Sequence, residues 1–445
     1  MSKFFGTDGI RGKAEIFTRE FLGKIVLGLE VKGKKVLIGG DTRESTERIL
    51  KDLGELLEKA GAERVATVGV LPTPAINYVF YRLGFDFAID VTASHNPYTD
   101  NGIKIFERGE KFGVKLGEEK KEKIEEAIRV SGSLPRLDSR ELRGVEDLSA
   151  EGRKVYLEHL RNYLGEGEFT GLKIGLDFAN GATGVISGEV FRERGAEAVE
   201  INNKVEYGRE INNNAGSTHI KGLQKLVRER ELDFGAAFDG DGDRVLFSDK
   251  TGEIVDGDQV LAILAKYFKL DSIVATVMAN QGLLNFGKEE KIEIITTDVG
   301  DQNVFAEMKK RGIKIGGEQS GHIILPEEAM GDGILAALVM TKVMSESGKS
   351  LSELAREMKK FPQVMINIEA SSRDKEKLKS SDEIRNLIET YEKQLEETTK
   401  GRILVRPSGT EELIRITLWG EEEAKIREIG EEFTEKLKEE LKNGN

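Results

Sequence analysis

Short apolar runs alternate with amphipathic stretches along most of this chain, and the alternation repeats three times. In the first pass, residues 35–39, 64–68 and 87–91 have the length and β-branched content of buried strands, while the segment ending before Gly61 and the one after Pro72 carry apolar residues at helical spacing. The second pass places strands at 172–177, 198–201 and 234–238, with a Gly-containing turn at Ala179-Asn180-Gly181 and a helix over 223–231. The third predicts strands at 273–277, 292–295 and 313–316, a turn at 279–282 and a helix over 304–311. Strands alternating with helices imply βαβ units and mostly parallel sheets with helices on both faces. The tail breaks the rhythm: after Pro362, strands at 364–368, 402–405 and 413–418 enclose a Lys/Glu-rich helical stretch and precede a charged final helix, a smaller α+β unit. The expected fold is therefore α/β, three similar mixed or parallel-sheet domains (1–147, 148–247 and 248–361) plus a C-terminal α+β domain (362–445) around a central cleft.

Each repeated unit ends in a polar loop. These are Thr92-Ala93-Ser94-His95-Asn96-Pro97, Asp239-Gly240-Asp241-Gly242-Asp243-Arg244 and Gly317-Glu318-Gln319-Ser320-Gly321-His322. Ligands of open α/β sheets bind beyond the carboxyl ends of the strands, so three such loops in equivalent places point to one shared cleft. In the second loop, glycines free the backbone so that carboxylates at alternate positions can converge rather than splay across a strand. Three converging carboxylates repel one another unless a hard cation sits among them, and Mg2+ prefers a few carboxylates together with a phosphate oxygen. An EF-hand is excluded, because its sixth and twelfth positions are Arg244 and Lys250 instead of Gly and Glu.

Ser94 stands where a positioned nucleophile would, on a turn after a buried strand, although the hydrolase elbow G-x-S-x-G is missing and a lone Ser-His reads more often as an ordinary turn. Lys104, on the strand expected to follow, reads equally as a phosphate-side lysine or an exposed strand lysine; His322 is an acid/base candidate of similar strength. Arg406-Pro407-Ser408-Gly409-Thr410 offers a guanidinium, two hydroxyls and Gly-freed amides within five residues, a phosphate cradle or a tight turn. Arg11, in Phe5-Gly6-Thr7-Asp8-Gly9-Ile10-Arg11-Gly12, is a further candidate to face phosphate. A near P-loop at 28–35 fails, since Lys35 replaces the Ser/Thr and a strand follows in place of a helix.

Composition narrows the partners. Asp, Glu, Lys and Arg make up 33% of the 445 residues and the net charge is −13, which argues against nucleic acid and requires any anionic substrate to be met by local Arg and Lys. No apolar run reaches the ~20 residues of a membrane span, and the first residues do not read as a signal peptide, so a cytoplasmic protein is expected. Zero cysteines exclude disulfides and a thiolate nucleophile.

The segments FGTDGIRG (5–12), TASHNPYTDNGIKIF (92–106), DGDGDR (239–244), VDGD (255–258), GGEQSGHII (316–324) and RPSGTE (406–411), in this order, resemble those of the α-D-phosphohexomutase superfamily, and the 317–322 loop resembles its bacterial amino-sugar members most. The resemblance spans essentially the whole chain. Glu412, Gly40 and the Asn213-Asn214 pair depart from the superfamily pattern without touching the nucleophile or the carboxylates. The resemblance implies a phosphoserine at Ser94, Mg2+ held by Asp239, Asp241, Asp243 and a phosphoserine oxygen, and interconversion of glucosamine 6-phosphate and glucosamine 1-phosphate through a 1,6-bisphosphate. Glu318 and Ser320 would bind sugar hydroxyls; Arg406, Ser408, Gly409 and Thr410 would hold the phosphate not being transferred; Arg11, Lys104, Arg244 and His322 would supply charge and proton transfer. Glucose or glucosamine 1,6-bisphosphate would be the activator, a hexose or hexosamine phosphate the substrate, and relatives suggest a homodimer. The rivals are a phosphoglucomutase/phosphomannomutase and, outside the class, a metal-dependent phosphatase or a non-catalytic sugar-phosphate sensor.

Overall fold

The structure is a computed structural model that describes residues 4–6, 8–130, 143–408 and 412–442. Among the described residues the strands form four sheets. In the first, the strands Phe87–Val91, Lys35–Gly40, Arg64–Val70 and Glu146–Asp147 run parallel in that spatial order. Strand Asp100–Arg108 lies antiparallel against Phe87–Val91, and Gly9–Lys13 lies antiparallel beyond it, so the sheet is of the mixed kind the expectation allowed. Every residue of Phe87–Val91 is buried, Asp90 included, as in a strand covered on both faces. Helix Thr46–Lys59 covers one face by burying Ile49, Leu50, Leu53, Leu56 and Leu57, the stripe its periodicity predicts.

The second sheet orders Glu197–Ile201, Lys173–Asp177 and Phe234–Phe238 in parallel and adds Val245–Asp249 antiparallel, so the chain reverses through the Asp239 loop. In the third sheet, Ser272–Thr276 pairs in parallel with Glu293–Thr297. Two expectations change here. Helix Gln281–Glu290 runs from the predicted turn at 279–282 almost to the next strand; its two internal glycines weaken the helical pattern, and the helix starts because Asn280 caps it. The strand expected at 313–316 is Gly316–Gly317, because Gly312, at φ 69°, and Ile313, whose N–H bonds to Met308 O, are spent closing the preceding helix Asp301–Arg311.

The apolar interiors of these three sheets merge. One cluster of buried side chains runs from Leu37 and Phe80 through Tyr156 and Phe178 to Met340 and Met358. Helix Gly333–Ser347, apolar on nearly every side, is its axis in the third unit. The C-terminal unit has a separate core, Val364 to Leu437, built on the antiparallel sheet Gln363–Glu369, Leu413–Trp419, Arg402–Pro407. Its helix Glu423–Lys442 buries Ile426, Ile429, Phe433 and Leu437 and leaves its charged side outward. The Lys/Glu-rich stretch forms two helices, Ser372–Ser380 and Asp382–Thr399, separated at Ser381, whose hydroxyl caps the second. Among the described residues no helix is long and apolar enough to cross a membrane.

Candidate active site

Ser94 is fully buried and sits in the left-handed region at φ 53°, a conformation a serine keeps only when its surroundings impose it. The imposing group is Arg43. Its guanidinium, 0% exposed, donates to the carbonyls of Ser94 (2.7 Å), Asn96 (2.9 Å), Asp100 (3.1 Å) and Pro97, and to Asp41 Oδ2 (2.9 Å). Asn212, from the second unit, donates to the Ser94 carbonyl as well (2.8 Å), and Thr92 Oγ1 accepts from Ser94 N (2.9 Å) while donating to Asp41 Oδ2 (2.6 Å). The loop is therefore clamped through its backbone, which leaves the hydroxyl free to point elsewhere.

That hydroxyl points at the acidic loop. Ser94 Oγ donates to Asp239 Oδ2 at 2.7 Å, joining the first two units. Asp239, Asp241 and Asp243 are each at most 3% exposed, and each offers an oxygen within 4.8 Å of the others. Lys104 Nζ reaches Asp241 Oδ2 (2.7 Å), Asp243 Oδ2 (3.2 Å) and Asp8 Oδ2 (2.9 Å). Although burial opposes its charge, Asp241, Asp243 and Asp8 hold the Lys104 ammonium well above its ordinary range. Burial, followed by the charges of Asp243 and Asp241, pushes the Asp239 carboxyl well up. Asp241 Oδ1 and Asp243 Oδ1 are buried without a hydrogen-bond partner. Orphaned carboxylate oxygens beside a serine hydroxyl are the donor set a hard divalent cation takes, so these residues fit Mg2+.

Around this centre the sequence candidates divide. Arg244 stands at its rim, with Nη1 3.2 Å from His95 Nδ1 and Nε 3.7 Å from Asp243 Oδ1. Burial, then the charges of Arg244 and Arg11, lowers the His95 pKa to about 4, so this imidazole is neutral at pH 7. His322 is buried between Asp243 (Nδ1 to Oδ2, 3.9 Å) and Asp301 (Nε2 to Oδ2, 3.8 Å), and its Nε2 accepts from Gly331 N (2.9 Å). Arg11 reaches the centre indirectly: its Nη2 pairs with Asp8 (2.5 Å), which also holds Lys104 and Lys115. Glu318 accepts from Gly300 N (3.1 Å), and its charge acts on both Arg244 and Arg406. Ser320 is exposed on the same loop.

Arg406 and Ser408 lie apart from this cluster, at the end of strand Arg402–Pro407 in the C-terminal unit. Among the described residues the Arg406 side chain makes no ion pair with the first three units, and it stands directly across the ladder from Arg415. Burial and then that second guanidinium lower its pKa, while the charge of Glu318 acts in the opposite direction. Lys375 Nζ holds the Ser408 carbonyl at 2.9 Å. Gly409 and Thr410 lie outside the described residues.

Several residues went unread in the sequence. Asp41 and Arg43 end a buried strand in the same relative place as the Ser94 and Asp239 loops, which was the available signal. Thr73 Oγ1 lies within hydrogen-bond distance of both Asp241 Oδ2 (2.9 Å) and Asp90 Oδ2 (2.6 Å), and Lys115 ties Asp8 to Asp301 across the first and third units (2.5 Å each). These pairings depend on long-range packing that no local pattern encodes.

A buried serine on a left-handed turn, a buried triad of carboxylates and a separate arginine-bearing loop match a known class. Four consecutive family models cover the chain: phosphoglucomutase/phosphomannomutase alpha/beta/alpha domains I (residues 2–133), II (154–252) and III (256–361), and the C-terminal domain (365–436). The chain belongs to this family of phosphohexomutases, which are isomerases. Within it, the similar curated proteins are phosphoglucosamine mutases: that of Caldicellulosiruptor bescii is 43% identical over 97% of this chain and 98% of its own length, that of Clostridium tetani 40% over 99% and 100%, and that of Bacillus subtilis 39% over 98% of each. Solved structures share the fold. A phosphoglucomutase/phosphomannomutase family protein of Burkholderia thailandensis superposes with a TM-score of 0.77 at 21% identity, covering 100% of this chain and 99% of that one. The Aspergillus fumigatus N-acetylphosphoglucosamine mutase, solved with GlcNAc-6P and magnesium, gives 0.68 at 16% identity over 99% and 96%.

Proposed function

We propose that this chain interconverts glucosamine 6-phosphate and glucosamine 1-phosphate, with Ser94 as the phosphoryl carrier. The observation that carries the reading is the buried Ser94 Oγ–Asp239 hydrogen bond at the junction of two units, which aims one clamped hydroxyl into a carboxylate triad. In the first half-reaction the phosphoseryl P–O bond breaks and the phosphoryl group joins the free hydroxyl of the bound monophosphate, giving a 1,6-bisphosphate. After the intermediate turns over in the cleft, Ser94 Oγ takes back the phosphoryl group from the other end. Asp239, Asp241, Asp243 and a phosphoserine oxygen would hold Mg2+, whose charge offsets the negative charge moving between donor and acceptor oxygens. Lys104 and Arg244 add fixed positive charge beside the transferring group, Arg11 adds charge from behind Asp8, and His322, held by Gly331 N and facing Asp243, serves proton transfer. Glu318 and Ser320 receive the sugar hydroxyls, and Arg406 and Ser408, with Gly409 and Thr410, grip the phosphate that stays.

Domain limits at 147/148, 247/248 and 361/362, a cytoplasmic location and activation by glucose or glucosamine 1,6-bisphosphate complete the reading. The test is kcat/KM for glucosamine 6-phosphate, glucose 1-phosphate and mannose 1-phosphate on one Mg2+-loaded preparation primed with glucose 1,6-bisphosphate. A clear preference for the amino sugar supports the assignment. Equal or greater rates on the neutral sugars would make the chain a general hexose phosphomutase.

A further inference from the structure

The VDGD segment (255–258) stands outside the reaction just described, yet its side chains are buried and committed. Asp256 caps helix Gly257–Tyr267 through Gln259 N (3.3 Å), takes Lys360 Nζ at 2.5 Å and faces Gln319 Nε2 at 3.4 Å. Gly257 N donates to the Gln319 carbonyl (3.1 Å), and a side chain at Gly257 would run into the Glu318 carbonyl, so this helix start is moulded to the sugar loop. Asp258 Oδ2 accepts the backbone N–H of Asn280 at 2.6 Å. Asn280, itself fully buried, then grips the linker into the C-terminal unit with both ends of its amide: Oδ1 accepts from Phe361 N and Nδ2 donates to Phe361 O, each at 2.9 Å. The same turn meets the C-terminal unit directly, since Arg402 Nη2 donates to Val277 O (3.0 Å) and Ala279 O (2.5 Å) with its guanidinium 3.9 Å over the Trp419 ring. Arg402 opens the strand whose other end carries Arg406 and Ser408.

We propose that Asn280, seated on Asp258, is a positioning residue for the phosphohexomutase reaction, fixing the Arg406–Ser408 phosphate loop relative to the Glu318 sugar loop. One short run of residues thereby holds the sugar loop on one side and, on the other, both connections to the last domain: the linker at Phe361 and the strand at Arg402. A contiguous chain of contacts is a weak warrant by itself. What singles out Asn280 is that one side chain supplies the two-point grip on Phe361 while its backbone N–H is the tie to Asp258. Loosening it leaves Ser94 and its carboxylates untouched and lets the phosphate loop drift. Because that loop holds the phosphate that is not transferred, the loss falls on binding shared by ground state and transition state, and so on KM before kcat.

The inference rests on the phosphohexomutase reading but not on which sugar is preferred. Its test uses whichever hexose phosphate the full-length, Mg2+-loaded wild type turns over, so a wrong sugar assignment and a wrong clamp give different results. Asn280→Ser keeps a good helix cap and is too short to span to Phe361. Ser352→Ala removes a buried hydrogen bond to Asp249 in the same unit, away from linker and loop, and serves as the control for general loosening. The expected result is a 5- to 20-fold rise in KM for Asn280→Ser, roughly what losing one to two hydrogen bonds of grip gives, with kcat within about 2-fold and unchanged Ser94 phosphorylation by intact mass, while Ser352→Ala keeps the wild-type KM. Asn280→Gln, which lengthens the amide but retains its donor and acceptor, should recover part of the loss. An Asn280→Ser KM within about 2-fold of wild type, or an equal rise in Ser352→Ala, overturns the proposal.

Discussion

The two ends of the cleft are built on opposite plans. At the Ser94 end, the serine, the carboxylates and the supporting cations are buried, cross-bonded between units and set on an apolar core that runs unbroken from Leu37 to Met358. At the Arg406 end, a half-buried guanidinium stands at the tip of a strand in a unit with its own core, facing Arg415 across the ladder. Phosphoryl transfer tolerates little misplacement of the reacting oxygens, whereas gripping a phosphate that must first enter, then turn over and leave calls for a part that can move. On the proposed function, the more tightly braced half is the one where bonds change.

The sharpest way to break the comparison is at Ser94. Ser94→Ala should lower mutase turnover by at least about 1,000-fold while stability stays close to wild type, because Asp239 keeps its bonds from Gly242 N and Arg244 N. Coupled-assay rates beside a urea titration check both halves; a variant with near-full activity would remove Ser94 from the mechanism.

Arg43→Met tests whether the buried frame matters as much as the nucleophile it holds. The variant leaves the Asp41 charge buried and four carbonyls without their shared donor, so it should cost about 3–5 kcal/mol and reduce kcat by roughly 100-fold with KM little changed. Arg406→Ala should behave in the opposite way. It relieves the crowding with Arg415, leaves stability within about 0.5 kcal/mol, and raises KM for the sugar phosphate by roughly 10- to 100-fold without altering Ser94 phosphorylation. If Arg43→Met raised KM and Arg406→Ala lowered kcat, the division between a rigid chemical end and a separately built gripping end would be wrong.

The same division explains what could be read from the sequence. The strands, the repeat and the three loops stood out because each is local: a buried run followed by Gly, Asp, Ser or Asn is visible without knowing its neighbours. Ser94 and the Asp239 loop were legible for that reason, and so was Arg406. The frame was not, because the bonds by which Arg43, Asn212 and Thr73 brace the site reach partners more than 50 residues away. Helix Gln281–Glu290 was hidden by its own glycines, and the strand at Gly316–Gly317 by the helix exit before it. Local chemistry is written in order along the chain; mutual bracing is written in the fold.

The smallest expected effect concerns a carboxylate in the rigid half that takes no part in the chemistry. Asp332 is buried, caps helix Gly333–Ser347 through Leu335 N (2.9 Å) and accepts from Tyr156 OH (2.5 Å), linking the long helix Ser149–Leu164 to the third unit. Burial, aided by the charge of Glu328 and opposed by the bonds from Leu335 and Tyr156, raises its pKa to about 6. With an unfolded value near about 3.9, the neutral folded form contributes stability below pH 4, and that contribution is lost as the pH rises through 6, up to roughly 3 kcal/mol. Asp332→Asn keeps an acceptor for the cap and removes the titration. Its first unfolding transition should sit level with or below wild type at pH 4 and a few degrees above it at pH 7, the gap opening between pH 4 and 6. If the two melting curves shift in parallel across that window, the carboxylate is charged throughout, and the rigid half is held by hydrogen bonding and packing with no share from this buried proton.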